Sequence, residues 1–184
     1  MISVKNLLPS VKIGTEMIKD IKDAWLDVPD IRDKKTWGDG PWQTEPDEEE
    51  FEYKGYWCFM TRNRFGAWCG YVLLPKDHPF STVESYRDID IEVHGGITYA
   101  SLVERKINNE MREGYMIGFD CGHYRDYMPT QKVINDFFKQ QCPSWPQLGS
   151  STEDIYRDIE FVRNEIKSMV DQIIVIALEP NEKK

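Results

Sequence analysis

Two short stretches of this chain concentrate the side chains that can do chemistry. In DIDIEVHGGITYA, Asp88 to Ala100, the apolar residues Ile89, Ile91 and Val93 alternate with Asp88, Asp90, Glu92 and His94. Strict alternation marks a strand with one polar face, and Gly95-Gly96 suits a two-residue hairpin turn into Ile97 to Leu102. With those glycines at the turn centre, His94 faces Ile97, Glu92 faces Tyr99 and Asp90 faces Ser101. One hairpin face then gathers two carboxylates, an imidazole, a phenol and a hydroxyl, a set suited to holding a polar ligand or moving a proton. The solvated outer face of an antiparallel sheet produces the same alternation.

The second stretch is GFDCGHYRDY, Gly118 to Tyr127, in which Asp120, Cys121 and His123 fall at the end of a predicted strand. Gly118 and Gly122 allow a sharp turn or close approach of a ligand to the backbone. A cysteine beside a histidine supplies a thiolate and a base only when the side chains meet; a buried, inert cysteine fits the same letters. The expectation is that Glu92, His94 and Tyr99 share a ligand pocket with Asp120 or His123. The alternative is a small hydrolase or transferase in which His94, His123 or Cys121 works with Asp90 or Glu92 as the orienting carboxylate. Histidines, cysteine and carboxylates are also metal ligands, but HxH, HExxH and paired CxxC spacings are missing, so neither a metal nor another cofactor is expected.

Several elements must position these groups. Thr15 to Leu26 carries apolar residues at three- and four-residue steps and predicts a short helix. Residues 30–52, with Gly38, Gly40, Pro41, Pro46 and an acidic run from Glu45, predict a long surface loop whose Trp37 and Trp42 either pin it to the core or form a lid. FEYKGYWCFMT and GAWCGYVLL, separated by Arg62 to Phe65, predict a hairpin rich in packing aromatics. Cys58 faces Cys69 there only if the turn is Asn63-Arg64; a longer loop through Gly66 separates them. Glu104 to Gly114 shows no partner pattern, whereas Tyr115 to Cys121 reads as a strand.

Gln131 to Gln141 predicts a short helix, and Ser151-Thr152-Glu153-Asp154 resembles a capping box opening a long one. The stripe Ile155, Ile159, Val162, Ile166, Met169 and Ile173 packs on the sheet or forms the seam of a homodimer, and Glu153 to Arg157 and Glu160 to Arg163 are helical ion pairs. The expected fold is α+β: a mainly antiparallel sheet of four to six strands with a long C-terminal helix packed on one face. One domain spans 1–178, and 179–184 is a disordered charged tail.

Composition narrows the functional classes. The 184 residues, 40% hydrophobic and 30% charged, suffice for one folded domain with its own core. The 23 basic against 32 acidic residues give a net charge of -9, which argues against binding a nucleic-acid backbone. No stretch has the length and apolarity of a membrane span or signal peptide, so a cytoplasmic protein is expected, with its four cysteines reduced.

The segments WCGYVLLP (Trp68 to Pro75), DIEVHGGITYA (Asp90 to Ala100), GFDCGH (Gly118 to His123) and YRDIEFVRNEIKSMVDQI (Tyr156 to Ile173) resemble a family of small bacteriophage and prophage proteins without assigned function. The resemblance covers about the last two thirds of the chain, does not extend to Arg105 to Gly114, and transfers no catalytic role. It implies a phage accessory protein. The expected function is binding of a host protein or a small, nucleotide-like signalling molecule, to counter host defence. A nucleotide would need local donors such as Arg62, Arg64 or Arg125 against the acidic field.

Overall fold

In the computed structural model, residues 33–144 and 153–178 are described. The helix expected at Thr15 to Leu26, the tail 179–184 and the first half of the capping box lie outside them. Five antiparallel strands form one sheet in the order β1-β2-β3-β5-β4: β1 (Glu48–Tyr53), β2 (Tyr56–Arg62), β3 (Trp68–Leu74), β4 (Tyr99–Ile107) and β5 (Glu110–Asp120). Helix α1 spans Gln131–Gln141 and helix α2 spans Ile159–Leu178. The architecture is the expected α+β sheet with its C-terminal helix across one face.

Two tight turns reshape the strand assignments. Lys54-Gly55 (φ 50° and 85°) and Asn108-Asn109 (φ 50° and 66°) take the left-handed conformations that two-residue hairpin turns require. FEYKGYWCFMT is therefore two strands rather than one, and the acidic run ends in β1, not in a loop. Glu48, Glu50 and Glu52 are exposed along that sheet edge, where charge discourages pairing with another chain. Glu104 to Gly114 hides its alternation because an arginine stands on the inner face: Val103, Arg105 and Ile107 turn toward the small cluster around Phe59 while Glu104, Lys106 and Glu110 to Glu113 are exposed.

The expected strand at Asp88 to Val93 does not form. Its Ile89 and Ile91 are buried while Asp90 and Glu92 are exposed, but the segment lies against α2 rather than in the sheet. Gln172 on α2 clasps it, accepting from the Glu92 amide and donating to the Glu92 carbonyl, both at 2.8 Å. One-sided packing alone produces the alternation. The Gly95-Gly96 turn survives, closed by Gly96 N–H to Val93 O at 2.9 Å, but the His94–Ile97 hairpin register does not.

Helix α2 buries Val162, Ile166, Met169 and Ile173 completely against Trp68, Val72, Ile117 and Phe119 of the sheet. It begins later than the capping-box pattern implies: Asp158 accepts from Phe161 N–H at 2.8 Å, as a cap does. Ile155 is exposed and makes a one-residue parallel bridge with Asp126. Glu153 pairs with Arg125 at 3.1 Å instead of Arg157, whereas the Glu160–Arg163 pair does form. Trp37 and Trp42 are buried pins, Trp42 stacking on Tyr127 with ring centres 5.5 Å apart. Cys58 pairs with Val72 and Cys69 with Thr61, because the loop after Arg62 runs through Gly66 and closes at Asn63–Ala67.

Candidate functional site

Three chain segments converge beyond the end of β5. The glycine turn brings His94, the loop after Asp120 brings His123 and Asp126, and the strap 153–158 ahead of α2 brings Arg157. The strap is registered on the loop by Tyr127 N–H to Ile155 O and Ile155 N–H to Arg125 O, each 2.9 Å. Arg125 adopts φ 69°, a costly conformation outside glycine that tends to cluster at functional sites; it turns Asp126 back beneath His123.

Asp126 is the hub. Its side chain is 1% exposed. Its Oδ2 lies 2.7 Å from His94 Nε2 and accepts the His123 amide at 3.0 Å, while Oδ1 accepts from Arg157 Nε at 3.0 Å. Burial alone would push this carboxyl up, but donors from His123, His94 and Arg157 outweigh it and hold the pKa well below the usual carboxylate range. The group is a buried carboxylate, satisfied on both oxygens.

The two imidazoles stand edge to face, ring centres 5.5 Å apart, and His94 also meets Phe161 of α2 at 5.4 Å. The His94 amide donates to Glu165 Oε2 at 2.7 Å, tying the turn to the helix. Nδ1 of His123 is 3.7 Å from Asp126 Oδ2 and 4.0 Å from Asp120 Oδ1. Those are charge contacts rather than hydrogen bonds, and this buried nitrogen has no hydrogen-bond partner among the described residues. The Asp126 carboxylate raises the imidazole pKa, opposing the desolvation that lowers it. Asp120 is engaged by Thr98 Oγ1 at 2.9 Å and the Gly122 amide at 3.0 Å. Gly95 lies flat on the His123 ring: a Cβ there would fall 2.1 Å from Cε1, whereas Gly96 has open space.

Of the residues singled out by sequence, His94, Asp120 and His123 are brought together. Glu92 is exposed beside α2, and Asp90 is also exposed. Tyr99 lies on the opposite sheet face, its ring edge-on to Tyr71 at 5.5 Å. Asp126 and Arg157 were missed. The spacing His123-x-x-Asp126 is visible in the sequence, but nothing there sets Arg157 beside Asp126, since that contact depends on a bridge one residue long. Arg62 is withdrawn from ligand duty, its side chain 3% exposed and paired with Glu45.

The carboxylates expected to orient a histidine, Asp90 and Glu92, are replaced in that geometry by Asp126. Cys121 is buried, and desolvation followed by the Asp126 charge pushes its thiol far above the ordinary range. Burial similarly pushes Cys58 up to about 12 and Cys69 to about 11. Iodoacetamide at neutral pH is therefore expected to leave Cys121 unmodified in the native protein and to label it after denaturation; rapid native labelling would show an activated thiolate.

One ring nitrogen each of His94 and His123 and an Asp126 carboxylate oxygen all lie within 4.8 Å of one another, so this cluster has the donor set of a metal site as well as that of a proton-transfer pair. Compared with family models, curated proteins and solved structures, the chain matches none of them.

Proposed function

We propose that the chain is a small-molecule-binding protein whose ligand is held at the His94–His123–Asp126 cluster. The observation that carries this reading is the His123 imidazole. Its Nδ1 is buried without a hydrogen-bond partner among the described residues, in a cluster whose carboxylates are otherwise satisfied, and its side chain is 32% exposed. A buried polar atom left unpaired costs about 1–3 kcal/mol, which a fold tolerates where something else completes the site. In a phage accessory protein, the ligand would be a host signalling molecule whose capture blunts defence.

A second reading, a small hydrolase or transferase, draws support from the 2.7 Å contact between His94 Nε2 and Asp126. A buried carboxylate fixes the tautomer and orientation of an imidazole that acts as a base.

The test is mass spectrometry of small molecules retained by the tagged protein from infected cells. Wild type and Glu92→Gln are expected to retain the same compound, while His94→Ala, His123→Ala and Gly95→Ala lose it. Gly96→Ala shares the backbone strain of Gly95→Ala but lacks its clash, so it separates turn stability from site geometry. Retention unchanged in folded His94→Ala and His123→Ala would end the reading. Turnover of the retained compound, abolished in His94→Ala, would replace binding with catalysis.

A further inference from the structure

We propose that His94 Nε2, His123 Nδ1 and Asp126 Oδ2 bind one divalent transition-metal cation, zinc or a metal of similar preference, and that an anionic group of the ligand completes its coordination. The inference rests on the ligand-binding reading above only for that last position. The metal site itself stands on the three donor atoms.

The donor types are two neutral imidazole nitrogens and one carboxylate oxygen, a set that first-row divalent ions take readily. Two ligand atoms at about 2.0–2.1 Å from a tetrahedral zinc ion are about 3.3 Å apart. Here Asp126 Oδ2 stands 2.7 Å from His94 Nε2 and 3.7 Å from His123 Nδ1, so the required separation falls between those present. Adjustments of about half an ångström bring both Asp126 separations to it, small against ordinary side-chain fluctuation, and the ligand atoms of the cluster all lie within 4.8 Å of one another. Nδ1 of His123, which meets no donor or acceptor at bonding distance among the described residues, would gain a partner there.

Charge favours a cation at this place. Asp126 and Asp120 flank the His123 nitrogen at 3.7 and 4.0 Å, while the facing cation, Arg157, spends its Nε–H on the other Asp126 oxygen. That hydrogen bond holds the carboxylate so that Oδ2 alone points at both rings, as outer groups around metal sites do. Phe161 backs the His94 ring and the Arg157 guanidinium, 5.4 and 4.8 Å from its own ring centre, and restricts both.

Metal binding replaces the hydrogen on His94 Nε2. A neutral His94 ring then carries its proton on Nδ1 and a neutral His123 ring carries its proton on Nε2; each ring that starts as an imidazolium releases one proton to solvent. No oxidation state changes. Three protein ligands leave a fourth position, as open zinc sites do. A phosphate or carboxylate oxygen suits that position in charge and hardness, and this reconciles an acidic protein with an anionic ligand: the cation, rather than surface arginines, supplies the attraction.

The experiment titrates the chelator-treated full-length protein with zinc by calorimetry and with cobalt by visible absorption. Wild type and His78→Gln are expected to bind one equivalent of zinc with a dissociation constant below about 1 μM. Cobalt should give the visible bands of a four-coordinate ion. His94→Gln and His123→Gln should weaken zinc by more than 100-fold, beyond the roughly 10–100-fold expected for Arg157→Gln, a positioning residue. On unmutated protein, zinc should protect His94 and His123 from diethyl pyrocarbonate, which covers the case of a variant that fails to fold.

Zinc affinity weaker than about 1 μM, affinity unchanged in folded His94→Gln and His123→Gln, or unprotected histidines would each overturn the metal site. If zinc fails to bind while His94-dependent retention of a small molecule persists, this inference falls and the ligand reading stands. If zinc binds and no small molecule is retained by the loaded protein, the ligand reading falls and the metal site stands.

Discussion

Replacing Glu45 by glutamine is expected to destabilise the protein by about 3 kcal/mol, the lower end of the cost of breaking a buried ion pair, because Arg62 keeps a second carboxylate, Asp47, 3.3 Å from its Nε. Glu45 Oε2 pairs with Arg62 and accepts from Tyr156 Oη and, at 3.3 Å, from Trp68 Nε1, while Oε1 accepts the Ile159 amide at 3.2 Å. One carboxylate thus joins the loop before β1, strand β2, strand β3, the strap and the first residue of α2. Arg62 stacks on Trp68 at 4.2 Å and cannot move to water without vacating the core. Glutamine keeps the shape but removes the charge and places an N–H₂ among donors.

Urea denaturation of wild type and Glu45→Gln measures the gap directly. Its pH dependence follows from the direction of the carboxyl shift. Burial alone would raise the Glu45 pKa, but the hydrogen bonds from Tyr156, Ile159 and Trp68 and the Arg62 charge lower it below the ordinary 4.5. A lowered native pKa means stability that is complete above the unfolded value and lost as pH falls through the native one. The gap should therefore be constant near neutrality and close below about pH 4.5. A gap under about 0.5 kcal/mol at neutral pH, the size of a surface substitution, would show that the network does not hold the fold together.

The second large effect belongs to Ile166→Ala, expected to cost about 2–5 kcal/mol through lost burial and the cavity left behind. Ile166 is fully buried and lies against Gly70 of β3, where a built Cβ would come 2.9 Å from it and 2.6 Å from Phe119. The sheet has made room at Gly70 for these two side chains, so little is left that can collapse into the space. Chemical denaturation of the monomer reads the loss, and a value under about 0.5 kcal/mol would remove the stripe from the core.

Helix α2 was legible because a long element buried on one side must repeat its apolar residues at helical steps, and Ile159 to Ile173 do so without interruption. Its start was not, because Glu153 and Arg157 sit at an inviting helical spacing and the sequence contains nothing that announces the bridge to Asp126. Alternation at Asp88 to Val93 reports one-sided burial but not a strand, since an extended segment against a helix obeys the same period of two. His94 and His123 were legible as chemistry. Their common partner was not, because Asp126 looks like one acidic residue among 32 until the backbone at Arg125 folds it inward.

The strap is held by one bridge, the Arg157–Asp126 and Glu153–Arg125 pairs, and Tyr156 against Glu45 and Trp42, rather than by the backbone ladder that secures a strand. Such a segment can detach at a free-energy cost below that of global unfolding. Detachment takes Arg157 away from Asp126 while leaving the glycine turn and the sheet in place. Competent and incompetent forms of one site would then exchange within a single native basin. The apparent dissociation constant is the intrinsic one divided by the population of the closed form, so sequence changes in 153–158 that never touch a bound molecule still tune how tightly it is held.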